Sequence, residues 1–345
     1  MRTPGSVRAT CMPTEMTPTL HRFAHDAMAT TFEVVLAARS RAYAEAAADA
    51  AFAEIDRLER ELSRFIPDSD IARLNALRPG DALQVGIDAF ECLQLAEAVW
   101  RETGGVFDVT VGGWLPRSSS SPPAADGRGD ASDAGEGGPN FRAAVGMSLI
   151  ELNPPRRQVR VRSAGVVVDL GAVGKGYAVD QAIEMLWQWN IAQGLVHAGQ
   201  SSVFAFGNAA GPGAPSGGGW AMPIRDPLDH SRTLGQVRLR QESLSGSGRA
   251  LHGEHILDPR TGLPAPAETV GAWAVAPSAA MSDAFSTAFM LLPPGEVEAC
   301  CRRVAGLSAI LARRDGAGTA LRSFGPAEFA PTGDAADRQG CSGGC

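Results

Sequence analysis

Positions 166–180 read VVVDLGAVGKGYAVD and hold the first group of residues that could do chemistry. Three valines predict a strand buried on both faces, closed by Asp169 and Leu170, and positions 171–176 form a glycine-rich turn with one basic residue, Lys175. From Tyr177 the period changes, with Ala178, Ala182, Met185 and Trp189 on one face at helical spacing. A strand that ends in an acid, a glycine turn and a helix start presents backbone N–H groups and a positive dipole end, which suit a phosphate. The turn matches neither GxxxxGK[ST] nor GxGxxG. On its own it also reads as an ordinary strand-to-helix turn, with Lys175 as a solvated charge.

A second group lies in SAAMSDAFSTAFMLL, positions 278–292, whose composition predicts a buried helix. Asp283 and Thr287 are four residues apart, so their oxygens share a helical face. A carboxylate and a hydroxyl on an apolar helix cost free energy if buried without partners. One reading has Asp283 cap the helix and Thr287 bond to a carbonyl one turn back. The other is a hard cation: Mg²⁺ takes a few protein oxygens, often including a backbone carbonyl, and completes its shell with water and substrate phosphate. Asp169 and the turn after it would supply the rest.

The third group is HILDPRTG, in which His255 precedes an ordinary turn sequence. His255 is either a structural histidine or a general base, since its unperturbed pKa suits proton transfer near neutral pH.

Several elements must position these groups. Positions 29–37 read as a strand, with Met28 just ahead of it. Positions 42–65 read as an amphipathic helix through Phe52, Ile55, Leu58, Leu62 and Phe65, stopped by Pro67. Asp68 or Ser69 would cap a short helix carrying Ile71 and Leu74, and 87–103 is a further helix ending at two glycines. VRV and VVVDL read as a hairpin around 163–165. Positions 195–206 read as strand, turn and strand, 237–243 and 270–275 as strands, SLSGSG as a small-residue turn, 296–304 as a helix and 309–312 as a strand core. Helices and hairpin-linked strands mix without βαβ alternation, so the expected class is α+β.

A chain of 345 residues, 44% apolar and 20% charged, can bury a large core. Its net charge of −7, with no basic block, argues against non-specific nucleic-acid binding. No run approaches the ~18 apolar residues of a membrane span. Positions 1–20 lack the apolar core of a signal peptide, so the expected location is cytoplasmic, or periplasmic or membrane-associated if the start is elsewhere. The six cysteines show no CxxC spacing. The expected layout is a flexible segment at 1–20, one domain at 21–330 with low-complexity insertions near 116–140 and 207–219, and a tail at 331–345 ending in CSGGC.

Taken together, DLGAVGKGYAVD, GGVFDVTVGGW, LSRFIPDSDIARLN, HILDPRTGLP and SDAFSTAF resemble the ApbE family of FAD:protein FMN transferases. The resemblance spans roughly positions 23–324. It implies an ApbE-like, T-fold-related α+β fold of mostly antiparallel sheets flanked by helices, with an FAD cleft between two lobes. It also implies a Mg²⁺-dependent enzyme that cleaves the FAD diphosphate. FMN passes to a Ser or Thr hydroxyl of a target flavoprotein, such as a membrane or secreted redox subunit, and AMP leaves. By resemblance, Met28 and Phe65 contact the isoalloxazine, with Phe65 where the family commonly has Tyr, and Val106, Phe107 and Asp108 line the FAD. Asp169 and Lys175 contact FAD, Lys175 at phosphate; His255 and Ile256 lie beside the flavin, and His255 is the nominated base. Asp283, Thr287 and the carbonyl of Ala172 correspond to the metal ligands.

The chain departs from the family pattern in three places. HAGQSS at 197–202 has no acid where a GGD-type turn is usual, SGSG is followed by a short RALHGE, and Ala29 replaces the glycine of MGT. Two other readings stand beside the transferase: a Mg²⁺-dependent FAD pyrophosphatase releasing FMN and AMP, and a flavin-binding protein without turnover.

Overall fold

The computed structural model of the protein describes residues 18–115, 144–209, 218–248, 256–316 and 318–332. His255, the insertion expected at 116–140, most of the loop at 207–219 and most of both terminal segments lie outside the described residues.

Two nine-residue strands, β1 (Thr19–Ala27) and β2 (Thr30–Ala38), open the described chain as a hairpin. Phe32, Val34 and Leu36 of β2 are fully buried at period two. Helix α1 (Arg41–Leu62) follows, its start capped by Ser40, and buries one face from Ala44 to Leu62. Ser69, not Asp68, caps the short α2 (Asp70–Asn75), and α3 (Ile87–Glu102) comes after β3 (Ala82–Gln84). Strands β4 (Ile150–Asn153) and β5 (Gln158–Val161) complete a small sheet in the order β3-β5-β4. Then come α4 (Gly174–Gln188), β6 (Gly194–Ala198), β7 (Ser202–Phe206), β8 (Trp220–Arg225), β9 (Thr233–Leu239) and β10 (Glu242–Gly248). The chain continues through β11 (Thr269–Ala276), α5 (Ala279–Phe289), α6 (Pro294–Arg303), β12 (Ser308–Asp315), β13 (Gly318–Phe324) and β14 (Glu328–Pro331).

The architecture is α+β, as expected. Its main sheet has eight antiparallel strands in the order β1-β2-β6-β7-β10-β11-β12-β13. One face carries α1, α4 and α5 over a core that includes Phe32, Ile55, Phe204, Phe285 and Phe289. Each such fully buried side chain contributes about 1.5–3 kcal/mol relative to exposure. The other face packs the three-stranded sheet β14-β9-β8 through Leu195, Val203, Trp220, Ile224, Val237 and Ile310. β7 is therefore buried on both sides, Phe204 and Phe206 toward the helices, Val203 and Ala205 toward the second sheet.

Three local expectations are corrected. The valine run at 166–168 joins no sheet: Val167 makes one isolated parallel bridge to Val111. The Asn75 side chain instead clamps the Val168 backbone, donating Nδ2–H to its carbonyl at 2.9 Å and accepting its N–H at 2.7 Å. That pairing satisfies the Val168 backbone, while Val167 and Asp169 bond the 109–112 segment. SLSGSG is strand β10 rather than a turn, with Ser243 and Ser245 fully buried. The strand expected at 237–243 breaks at Gln241, whose φ of 60° turns β9 into β10.

Candidate functional site

The 171–176 turn and α5 meet directly. Gly176, the third residue of α4, donates its N–H to Asp283 Oδ2 at 3.2 Å. Val173 at the N-cap supplies no side-chain cap, so an acid from another helix does so. A Cβ at Gly176 would stand 2.3 Å from the Ala279 carbonyl oxygen, which is why the two helices can approach here only at a glycine. In return, Asp180 of α4 accepts the N–H groups of Ala279 and Ala280 at the start of α5, at 2.6 and 2.9 Å. Burial, reinforced by the nearby Asp283 carboxylate, pushes the Asp180 carboxyl up to about 7 despite those two bonds.

The turn is less of an anion nest than its glycines suggest. The Gly171 N–H is donated to Asp169 Oδ1 at 2.6 Å, those of Val173 and Gly174 to the Leu170 carbonyl, and that of Gly176 to Asp283. Most of the N–H groups expected to face phosphate are thus used within the protein. Lys175 folds back so that Nζ donates to the Gly171 carbonyl at 2.5 Å, which holds the cation over the turn.

Asp169 is half of a shielded ion pair. Arg64 Nε lies 2.6 Å from Asp169 Oδ2, the two side chains being 11% and 15% exposed. Arg64 also donates Nη1–H to the Gly112 carbonyl at 2.6 Å, and its guanidinium lies 4.7 Å from the centroid of the Phe65 ring. Phe65 is 41% exposed, unusual for a large aromatic, and so keeps surface free for a stacking partner. Arg64 therefore joins two residues that were read from separate motifs.

Segment 106–112 runs beside 166–169: Asp169 N–H donates to the Val109 carbonyl at 2.7 Å and Gly112 N–H to the Val167 carbonyl at 2.9 Å. Val106 and Phe107 are buried core residues. Both oxygens of the buried Asp108 are taken: Oδ1 accepts the Thr110 N–H and hydroxyl, and Oδ2 accepts the Met147 N–H. Burial pushes its pKa above the usual carboxylate range, partly offset by those donors. The side chains of these three residues thus shape the loop from within. Ile256 is also buried, its carbonyl accepting the Ala265 N–H across the DPRTG turn, whose Arg260 reaches within 4.0 Å of where a Gly105 Cβ would be. Met28 sits in the β1–β2 turn at φ 50°, followed by Ala29 at φ 57°. The next turn inward, between β6 and β7, packs on it so closely that a Cβ at Gly199 would strike the Thr30 hydroxyl.

Asp283 is 5% exposed, and among the described residues its oxygens meet the Gly176 N–H and the Ser202 hydroxyl, but no basic side chain. Thr287 donates to the Asp283 carbonyl at 3.3 Å, the one-turn back-bond, and lies 3.4 Å from Ser247 Oγ. Ser278, not Asp283, caps α5. A shielded carboxylate without a cationic partner and a hydroxyl one turn on at Thr287 suit a hard cation with few protein ligands, and Ala172 lies in the turn that Gly176 ties to Asp283. Among the described residues no three His, Cys, Asp or Glu side chains converge, so a site of the zinc type is not formed there. A surface groove of about 710 Å³ lined by Pro227, Leu228, Ala267, Glu268, Val270, Arg314 and Gly316 includes none of these residues.

Sequence reasoning missed Arg64, Asn75, Ser202 and the capping role of Asp180. Arg64 and Asn75 stand inside the quoted LSRFIPDSDIARLN, and Asp180 closes DLGAVGKGYAVD, but their partners are distant in sequence.

Comparison with known proteins identifies the family. The ApbE family model matches residues 28–311. A FAD:protein FMN transferase of Klebsiella pneumoniae is 27% identical over 302 residues, covering 84% of this chain and 83% of that protein. One from Treponema pallidum is 27% identical over 293 residues, covering 80% and 79%. Among solved structures, the apo flavinyl transferase ApbE of Pseudomonas stutzeri superposes with a TM-score of 0.71 at 23% identity, covering 90% of this chain and 96% of that one. The ApbE protein of Thermotoga maritima gives 0.72 at 22%, covering 89% and 97%. With a family match over most of its length and the same fold in those structures, the chain is a member of the ApbE family.

Proposed function

We propose that the protein is a FAD:protein FMN transferase that moves FMN from FAD to a Ser or Thr hydroxyl of an acceptor flavoprotein. The observation that carries this reading is the bond between Gly176 of the glycine turn and Asp283 of α5, which brings the two halves of the expected diphosphate site together. Asp283, Thr287 and the Ala172 carbonyl would hold Mg²⁺, whose charge would offset that building on the diphosphate oxygens.

The chain's own residues do the rest. Lys175, held over the turn, supplies positive charge to the same phosphates. Arg64 fixes Asp169 and Phe65 together, so that the ring that stacks on the isoalloxazine is tied to the turn that receives the diphosphate. His255, one residue before the buried Ile256, takes the proton of the acceptor hydroxyl. That oxygen bonds to the phosphorus on the FMN side, the bond from phosphorus to the bridging oxygen breaks, and AMP leaves with the bridging oxygen.

The test mixes purified protein, FAD, Mg²⁺ and an acceptor domain. A fluorescent acceptor band in a denaturing gel together with AMP supports the transferase. AMP without that band identifies a pyrophosphatase, and bound FAD without AMP a binding protein.

A further inference from the structure

We propose that Ser202 is a positioning residue for the Asp283 carboxylate, so that a buried hydroxyl on β7 sets the direction in which Asp283 meets its cation. This rests on the reading of Asp283 as a cation ligand. A carboxylate offers about four lone-pair positions. Ser202 Oγ donates to Oδ1 and the Gly176 N–H to Oδ2, each at 3.2 Å, so one donor holds each oxygen and the plane of the group is fixed from both ends. The remaining positions are left for the cation.

Ser202 is suited to this because it is buried between two paired strands. It is 2% exposed and is paired to Ala198 of β6 on one side and Ser245 of β10 on the other. The other serines beneath α5 have different partners. Ser243 bonds the Val203 carbonyl and Ser282, Ser245 bonds Ser282, and Ser247 meets Ser286 and Thr287. These contacts seat the helix on the sheet; among the described residues only the Ser202 side chain reaches the Asp283 carboxylate. Nor does the turn at 197–202 contain an acid, so a neutral donor acts where a second carboxylate would raise the site's charge.

The test titrates Mn²⁺ into the FAD-loaded protein, read as loss of the free-ion electron paramagnetic resonance signal, beside the Mg²⁺ concentration that gives half-maximal AMP release. Outer partners of metal ligands typically change affinity by about 10–100-fold. Ser202→Ala should weaken Mn²⁺ binding and raise the Mg²⁺ requirement by that factor, with the rate largely recovered at saturating Mg²⁺. Ser202→Thr, which keeps the hydroxyl, should restore the affinity. Ser243→Ala should lower the melting temperature and leave Mn²⁺ binding unchanged. Should the alanine variant not fold, Ser202→Cys, a near-isostere with a weak donor, should show the same loss. Unchanged Mn²⁺ affinity in the Ala or Cys variant overturns the role of Ser202 alone. Absence of Mn²⁺ binding by the unaltered protein removes the cation reading, and this inference with it.

Discussion

Asp180 and Asp283 each cap the helix that carries the other. Asp180 leaves α4 to accept two N–H groups at the start of α5, and Asp283 leaves α5 to accept one at the start of α4. Each helix start thereby gains carboxyl oxygens as acceptors for N–H groups that have no partner within the helix. The exchange also fixes the 171–176 turn against the face of α5 that bears Thr287. The acid proposed as a cation ligand thus also holds the turn in place.

The Asp180 carboxyl is pushed up to about 7 in the folded protein, whereas an unfolded aspartate titrates near ~3.9. Between those values the folded state binds more protons, so unfolding free energy falls as pH rises. The stabilisation is fully present below the unfolded pKa and is lost as pH passes through the folded one. Urea unfolding at intervals from pH 4 to 8 should therefore show a declining component that Asp180→Asn removes. Identical pH slopes for the two proteins would contradict this.

Gly176 admits no side chain. A methyl there would lie 2.3 Å from the Ala279 oxygen and 2.8 Å from the Ala280 Cα, both backbone atoms. Gly176→Ala should cost about 1–3 kcal/mol or more, as overpacking of a tight contact does. It should also weaken FAD retention, because the helices must separate. Wild-type stability in chemical denaturation would show that the contact is looser than described.

At the β1–β2 turn, Met28 and Ala29 both adopt positive φ, a conformation glycine takes more readily than alanine. Ala29→Gly should stabilise the fold by about 0.5–1 kcal/mol, less whatever flexibility glycine adds to the unfolded chain. A lowered denaturation midpoint would rule out strain at this turn.

Arg64 should be the least replaceable basic residue near the turn. Its shielded pair with Asp169 means that Arg64→Ala strands a carboxylate, at a cost of about 3–5 kcal/mol. Arg64→Lys keeps the charge but cannot bond Asp169 and Gly112 while lying over Phe65. The lysine variant should thus fold yet bind FAD more weakly, measured by quenching of flavin fluorescence. FAD affinity equal to wild type would separate Arg64 from the site.

How much of this was legible in the sequence depended on where each residue's partner lies. Helices α1, α3 and α4 showed in their apolar spacing because each buries one face, and α5 showed in its apolar composition because it is buried nearly all round. β10 did not, since its inward positions are Ser243 and Ser245, whose hydroxyls bond under α5 instead of forming a hydrophobic stripe. The valines at 166–168 read as a sheet strand because nothing local reveals that Val168 is paired by the Asn75 side chain and its neighbours by the 109–112 segment. For the site, the four-residue spacing of Asp283 and Thr287 was visible, whereas Ser202 and Gly176 reach Asp283 from 81 and 107 residues away.

The most direct measurement is AMP release from FAD by Asp283→Asn across a Mg²⁺ titration, with its melting temperature recorded beside it. The amide keeps the shape and one acceptor for the α4 cap but loses the charge. If Asp283 and the adjoining turn hold the cation on the diphosphate, the variant should remain folded and AMP release should fall by about 100-fold or more, with little response to added Mg²⁺. Turnover near the wild-type rate with an unchanged Mg²⁺ requirement would contradict the account.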